Sequence, residues 1–271
     1  MKVMVLGSDG MVGHVVAQFF MEHAHEVAAY ECGHSVLGDA RLLGNAIRRC
    51  SYDAVINCMA VINQDAETDK AAAVRVNALL PHELERITAD TPTIVVHRST
   101  DCIFSGRKGS YTLEDWPDAG SFYARSKALG ELDNAKDITI RTSLVGPETD
   151  KNGAGLFHWF CRQRGEVGGF ANSIWTGITT IAYAKAVEQL LLDKAHGIFQ
   201  LVPDYAISKY ELLLLFEKYY PGNRNIRRVE NERVDKSLVP RTGGVAVPRY
   251  ETMIAEMRKW TDAHGDLYDY K

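Results

Sequence analysis

The sequence predicts an α/β fold with a doubly wound parallel sheet, on the strength of three observations. Apolar segments typical of buried strands lie at residues 2–6, 26–30, 53–57, 93–97 and 138–140. Helical patterns separate these segments, as expected of βαβ units. A glycine-rich turn joins the first strand to the first helix. Because the strands would run parallel, their carboxyl ends should meet at one edge of the sheet, where ligands bind.

Composition narrows the classes of protein. The chain has 271 residues and a net charge of −4, which argues against a surface that binds nucleic acid through its charge. No apolar run approaches the length of a membrane span, and a strand pattern begins at once without a signal peptide, so we expect a cytoplasmic protein with no membrane partner. Five scattered cysteines without CxxC spacing favour reduced thiols, and no metal site is predicted.

The glycine-rich turn has the spacing of a dinucleotide-binding loop. Gly7, Gly10 and Gly13 stand three residues apart between a strand and a helix. The first permits a tight turn, the second lets backbone N–H groups approach a pyrophosphate, and the third lets the helix pack on the strand. The predicted cofactor contacts in this loop are Gly7, Asp9, Gly10, Met11, Val12 and Gly13.

The next two strands supply further candidate contacts to the cofactor. Glu31 follows the second strand, about where an acidic residue would bind the adenine ribose, and it would repel a 2′-phosphate. This favours NADH over NADPH, although a shift of one residue in the register would remove the inference. Asp39 is either an adenine contact or part of a surface turn. The contacts predicted after the third strand are Cys58, Met59 and Ala60.

The fourth strand and the helix after it carry the candidate chemistry. The strand delivers Ser99, a predicted cofactor contact, and Thr100. Tyr123 and Lys127 are four residues apart and therefore share one face of a helix. We expect the Lys127 ammonium to lower the pKa of Tyr123, while the Thr100 hydroxyl holds a carbonyl oxygen against the phenol. A Tyr-x-x-x-Lys pair alone is common on solvated helices. We predict that this pair delivers a proton to a ketone because the fold should bring it to the same crevice as the nucleotide loop.

Three longer motifs carry a family resemblance: STDCIFSG at residues 99–106, YARSKALGE at residues 123–131 and RTS at residues 141–143. On these motifs the chain resembles an extended short-chain dehydrogenase/reductase with a Rossmann fold, and within that superfamily the dTDP-4-dehydrorhamnose reductase group. The resemblance implies that Tyr123 protonates the substrate carbonyl, that Thr100 binds the same oxygen, and that Lys127 binds the nicotinamide ribose. It also implies NAD(P)H as cofactor and a nucleotide-linked 4-keto-6-deoxy sugar as substrate.

One departure from the family pattern bears on the substrate. Cys102 stands where the family has a tyrosine that is expected to face the sugar, so the identity of the hexose stays open. Sugar-nucleotide 4,6-dehydratases, which the chain also resembles, carry Asp-Glu after the threonine, whereas this chain has Asp101 and Cys102. A thiol with a pKa of about 8.5 is a poor acid or base, so the elimination of water is disfavoured.

The second half of the chain is expected to form a small C-terminal substrate-binding domain. We assign residues 149–175 and 201–271 to it, and residues 1–148, with 176–200 returning, to the dinucleotide-binding domain. Trp175 is either a stacking surface for the base or sugar or a core aromatic, and Arg241 is either a diphosphate contact or a solvated arginine. The candidate substrate contacts are Thr100, Cys102, Tyr123, Leu144, Trp175 and Arg241.

Three functions fit these residues. The first is an NAD(P)H-dependent sugar-nucleotide ketoreductase. The second is an epimerase that retains NAD and uses the same residues. The third is a non-catalytic, nucleotide-sensing regulatory subunit, against which the intact set of Thr100, Tyr123 and Lys127 counts. The sequence leaves open the nucleotide, the stereochemistry at C4 and the oligomeric state, for which a homodimer is one candidate.

Overall fold

A six-stranded parallel sheet forms the centre of the protein, in a computed structural model that describes residues 1–31, 40–241 and 243–270. The strands are β1 (Lys2–Leu6), β2 (Glu26–Tyr30), β3 (Ala54–Asn57), β4 (Ile94–Arg98), β5 (Ile138–Arg141), β6 (Leu144–Val145), β7 (Glu166–Phe170), β8 (Ser173–Trp175), β9 (Ile178–Thr179), β10 (Gly197–Gln200), β11 (Ile207–Ser208), β12 (Asn225–Val229) and β13 (Val234–Asp235). The order in the main sheet is β10-β5-β4-β3-β1-β2, with every neighbouring pair parallel. The predicted α/β fold with a parallel central sheet is confirmed.

Helices cover both faces of this sheet. They are α1 (Gly13–Glu22), α2 (Ala40–Cys50), α3 (Asn63–Thr68), α4 (Lys70–Ala73), α5 (Leu80–Thr88), α6 (Phe122–Leu129), α7 (Leu156–Arg162), α8 (Thr180–Leu192), α9 (Lys209–Tyr219) and α10 (Tyr250–Ala263). Burial on both faces explains why strand β1 is apolar after Lys2. Val3 and Val5 pack into one core cluster with α1 and α8, whereas Met4 and Leu6 pack into the other, so both faces of the strand are buried.

A wide helical turn, Val74–Leu79, joins α4 to α5. Pro81 stands in the first turn of α5, where its missing N–H costs no intrahelical hydrogen bond. Asn77 lies in the wide turn, fully buried. Its side chain accepts a hydrogen bond from the Val61 N–H (2.9 Å) and donates to Ser126 Oγ (3.0 Å). Asn77 therefore ties the loop after β3 to α6, which carries the candidate chemistry.

The remaining strands form small sheets in the second half of the chain. Their orders are β11-β8-β13, β12-β7 and β6-β9. Strand β10 returns to the main sheet beside β5, and helices α9 and α10 pack against each other. The division of the chain into a dinucleotide-binding and a substrate-binding domain stays a prediction. None of the helices that the structure describes is long and apolar enough to cross a membrane.

Candidate active site

The glycine-rich turn between β1 and α1 lines a cavity of about 440 Å³, which we call the loop cavity. Gly7 has a φ of +75°, a conformation that favours glycine. A Cβ atom on Gly13 would lie 1.9 Å from the Gly7 carbonyl oxygen, so α1 approaches the turn as closely as only glycine allows. Backbone N–H groups at a helix start suit a pyrophosphate, and the loop therefore fits a dinucleotide. The cavity lining includes Gly7, Asp9, Gly10, Met11, Val12, Cys58, Met59, Ala60 and Arg98.

A second cavity of about 730 Å³, the tyrosine cavity, adjoins the loop cavity. Thr100, Cys102, Tyr123 and Leu144 line it, as the sequence predicts of residues at the carboxyl edge of the sheet. The two cavities share part of their walls. The shared residues are Met11, Ile62, Arg98 and Glu148.

Two capping contacts position Tyr123 in the first turn of α6. The Ser121 side chain accepts a hydrogen bond from the Ala124 N–H (3.1 Å), and the Glu67 carboxylate accepts one from the Phe122 N–H (2.6 Å). A carboxylate at this helix end is also favoured by the helix dipole. Tyr123 is only 9% exposed, and what remains exposed borders the tyrosine cavity.

Thr100 begins a tight turn, Asp101–Ile103, directly after β4. Its hydroxyl oxygen accepts a hydrogen bond from the Cys102 N–H (3.1 Å), and its O–H donates to Asp101 Oδ1 (3.3 Å). These two contacts hold the hydroxyl at the wall of the tyrosine cavity, which the Tyr123 phenol also lines. Burial raises the pKa of the Cys102 thiol to about 11, which makes it a poor acid or base for eliminating water.

The charged groups that act on Tyr123 differ from those that the sequence predicts. Burial raises the pKa of Tyr123 to about 12, and the positive charge of Arg98 is the main influence that opposes this rise. Lys127 lies in a fully buried site, where burial and the charge of Arg98 hold its own pKa well below the usual range. The expectation that the Lys127 ammonium acidifies the phenol is therefore corrected, because burial disfavours that ammonium and Arg98 supplies the positive charge.

Lys127 is held by the strand that delivers Thr100. Its Nζ donates a hydrogen bond to the carbonyl oxygen of Arg98 (2.6 Å) and lies 3.2 Å from Nε2 of His97. The other ring nitrogen of His97 lies 3.3 Å from the amide nitrogen of Asn57. Burial and the neighbouring Lys127 hold the pKa of His97 well below its usual range, so the imidazole is neutral. Three polar side chains therefore form a buried line between α6 and β3.

Arg98, the last residue of β4, occupies the junction of the two cavities. Its Nη2 donates a hydrogen bond to the carbonyl oxygen of Cys58 (3.2 Å). Its Nε is buried and has no hydrogen-bond partner among the described residues. The guanidinium is thus anchored at one end and has a donor to spare for a ligand.

A buried ion pair lies behind the motif at residues 99–106. Arg141 and Glu131 are 5% and 7% exposed and form two hydrogen bonds, of 2.9 and 2.7 Å. The Ser99 hydroxyl donates to the same carboxylate (2.6 Å). Ser99 is therefore engaged behind the strand and does not line either cavity.

A third cavity of about 480 Å³, the lysine cavity, joins the tyrosine cavity through Cys102, Ser143, Leu156 and Trp159. Asp101, Trp175, Lys209 and Lys236 also line it. The Lys209 ammonium lies over the Trp175 ring, 4.3 Å from its centroid. Burial lowers the pKa of Lys209 to about 8, and burial raises that of Asp101.

Five of the predicted residues that the structure describes line none of the three cavities: Gly13, Glu31, Ser99, Lys127 and Arg241. Arg241 lies beside the edge strand β10, where its guanidinium donates to the carbonyls of His196 (3.3 Å) and Ile198 (2.9 Å). Glu31 is exposed at the end of β2 and lines none of the three cavities. Asp39 lies outside the described residues. Trp175 is buried and stacks against Tyr250, with one edge on the lysine cavity.

Sequence reasoning missed Arg98, His97 and Lys209. The signal for the first two was their position: the charged Arg98 and the titratable His97 end an otherwise apolar strand. A polar side chain buried there needs a polar partner or a ligand. No local pattern marks Lys209, because its neighbours in the cavity come from distant segments. Within the described ranges, no group of three or more His, Cys, Asp or Glu side chains is placed to hold a metal ion.

Comparisons with known proteins agree with this architecture. The profile of a family described as the RmlD substrate binding domain matches residues 1–263. A dTDP-4-dehydrorhamnose reductase of Burkholderia thailandensis is 29% identical over 209 residues, which cover 73% of this chain and 70% of that protein. The probable low-salt glycan biosynthesis reductase Agl14 of Haloferax volcanii is 31% identical over 161 residues, 54% of each chain. A crystal structure of dTDP-4-dehydrorhamnose reductase from Bacillus anthracis in complex with NADP has a TM-score of 0.82 at 19% identity and covers 96% of this chain and 99% of its own.

Proposed function

The chain belongs to the RmlD substrate binding domain family, and from that premise we propose that it reduces, with NAD(P)H, the 4-keto group of a nucleotide-linked 4-keto-6-deoxy sugar in deoxysugar biosynthesis. The observation that carries the proposal is the shared wall of the loop cavity and the tyrosine cavity. A dinucleotide on the glycine turn and a ketone against Tyr123 would meet at that wall. The names of the relatives support the same reaction.

The residues of the loop cavity would hold the cofactor. The turn from Gly7 to Gly13 would bind its pyrophosphate, and Cys58 to Ala60 would contact the adjoining ribose. When bound, the cofactor would supply hydride for the carbonyl carbon. The family resemblance implies that Lys127 would also hydrogen-bond the nicotinamide ribose. Its Nζ donates to the Arg98 carbonyl and lies beside His97, in a fully buried position behind the cavity wall.

Tyr123 acts as the proton donor. Because burial raises its pKa to about 12, the phenol carries its proton at neutral pH and is ready to give it to the substrate oxygen. Thr100 would turn its hydroxyl proton from Asp101 Oδ1 to that oxygen, while the hydroxyl oxygen keeps the hydrogen bond from the Cys102 N–H.

The lysine cavity provides the site for the nucleotide diphosphate. Lys209 and Lys236 place two amines around one buried carboxyl group, Asp101, and amines are common phosphate ligands. The cavity opens into the tyrosine cavity beside Cys102. A sugar that links the diphosphate to the ketone at Tyr123 would therefore lie against this small side chain. Trp175 contributes an aromatic edge and holds Lys209 over its ring.

The test is an assay of NADH and NADPH oxidation with 4-keto-6-deoxy sugars linked to dTDP, GDP, UDP and CDP. We expect oxidation with at least one of them, and a product whose C4 carries a hydroxyl group by NMR. Bound NAD that survives purification, together with inversion of a sugar without net consumption of NAD(P)H, would instead identify an epimerase. A cytoplasmic location, a homodimer and the two-domain division remain predictions from the sequence.

A further inference from the structure

Arg98 brings a positive charge to the place where hydride transfer would occur. It lines both the loop cavity and the tyrosine cavity, and its Nη2 is anchored on the Cys58 carbonyl (3.2 Å). Its buried Nε has no partner among the described residues. The reactive end of a dinucleotide must reach this junction to face a ketone on Tyr123.

The groups packed around Arg98 leave its charge without a close counter-ion. On the same strand, His97 is neutral, and on β3 burial raises the pKa of the Cys58 thiol to about 12, so it is neutral too. On α6, Tyr123 is a neutral phenol and Lys127 carries no negative charge. On α8, burial raises the pKa of Tyr183, which is therefore neutral as well.

Two carboxylates lie nearby but are engaged elsewhere. Glu131 forms its ion pair with Arg141, and Glu148 shares the cavity wall and accepts a hydrogen bond from the Gly155 N–H (2.7 Å). No ion pair of the described residues includes Arg98. A ligand that enters the junction therefore meets the unpaired guanidinium together with the Glu148 carboxyl group on the same wall, and the Arg98 variants below isolate the share of the guanidinium.

We propose that Arg98 makes this site bind the reduced, neutral nicotinamide more tightly than the oxidised, cationic one. The inference rests on the proposed function and deepens it, because a site that prefers the reduced cofactor is loaded for reduction of the sugar and not for its oxidation. Hydride loss converts an uncharged dihydronicotinamide ring into a cation, and two like charges repel strongly in a partly dehydrated cavity. A guanidinium keeps its charge throughout the working pH range, whereas a lysine could relieve the repulsion by losing a proton. The spent cofactor is thereby released, and the epimerase alternative, which must retain the cationic form, is disfavoured.

Binding measurements without sugar substrate test this inference. Dissociation constants of the oxidised and the reduced dinucleotide are measured by calorimetry for the wild type, Arg98→Met, Arg98→Lys and the surface variant Arg125→Met. Arg98→Met should lower the ratio of oxidised to reduced dissociation constants by about tenfold, because the repulsion between two unit charges across a partly hydrated cavity is of that order. Arg125→Met, the matched control for loss of an exposed positive charge on α6, should leave the ratio near that of the wild type. Arg98→Lys should give a ratio between those of Arg98→Met and the wild type, because a lysine can lose its proton.

Two results would overturn the inference, and only the second would also overturn the proposed function. An unchanged ratio in a folded Arg98→Met protein, or in Arg98→Gln where the methionine variant fails to fold, refutes the role of Arg98 while cofactor binding stands. Failure of the wild type to bind any nicotinamide dinucleotide refutes the proposed function as well. Circular dichroism of each variant establishes that the comparison is made between folded proteins.

Discussion

Lys127 donates a 2.6 Å hydrogen bond to the backbone carbonyl of Arg98. Through this bond the helix that carries the proton donor is tied to the strand that carries the permanent positive charge. The amine is fully buried, and its pKa lies well below the usual range because of burial and the charge of Arg98. Lys127 therefore holds the site together, and Arg98 provides its charge.

Replacing Tyr123 by phenylalanine tests the proton donor. Tyr123→Phe should lower the rate of ketone reduction by about a hundredfold or more, the usual scale for losing a positioned acid. Affinity for NAD(P)H should change little, because the glycine turn and the floor after β3 are untouched. Tyr219→Phe is the matched control, since its half-buried ring lies on α9 away from the three cavities. Wild-type turnover in Tyr123→Phe would mean that another group supplies the proton.

The pH dependence of substrate capture tests Lys209. Burial lowers its pKa to about 8, so the ammonium that would bind a diphosphate is present below that pH and is lost as the pH rises through it. We expect kcat/KM for the nucleotide sugar, which reports the free enzyme, to fall above about pH 8. Lys209→Arg should remove this fall because a guanidinium stays charged, and Lys209→Met should lower kcat/KM at all pH values. A profile that is the same in all three proteins would assign the titration to another group.

The close approach of α1 to its preceding turn predicts a strict requirement for glycine. In Gly13→Ala the new Cβ would lie 1.9 Å from the Gly7 carbonyl oxygen, so the loop must move. Dinucleotide affinity should fall by about tenfold or more, since strain of this kind costs roughly 1–3 kcal/mol. Gly120→Ala is the control, because nothing lies within 4 Å of its added Cβ. Equal affinities of the two variants, measured by calorimetry, would show that the loop adapts without loss.

The buried ion pair behind Ser99 predicts a large effect on stability. Glu131→Gln removes one charge of a pair whose members are 7% and 5% exposed, and leaves the Arg141 charge uncompensated. The free energy of unfolding in urea should fall by about 3 kcal/mol. The exposed pair of Arg227 and Glu166, each with 58% of its side chain accessible, gives the control. Glu166→Gln should change stability by less than about 1 kcal/mol, and an effect as small in Glu131→Gln would contradict the argument.

Much of the site followed from local sequence patterns. The alternation of strands and helices predicted the parallel sheet, and parallel strands bring Gly7, Cys58 and Thr100 to one edge whatever else the chain does. The four-residue spacing of Tyr123 and Lys127 placed both on one face of α6. Arg241 shows the limit of this reasoning. It is one of several positive charges in the second half, and no local signal indicated that it would cap carbonyls beside β10.

By itself, the sequence determined the fold, the glycine turn and the residues offered for catalysis, because periodicity and spacing are properties of neighbouring positions. Only the tertiary structure decided which positive charge acts on Tyr123 and which lysines reach the lysine cavity. The physical reason is that desolvation and Coulomb energy depend on burial and on distances between segments far apart in the chain. Packing removes water from Lys127 and leaves Arg98 at the junction of two cavities. It thereby gives different roles to two basic side chains that no spacing rule distinguishes.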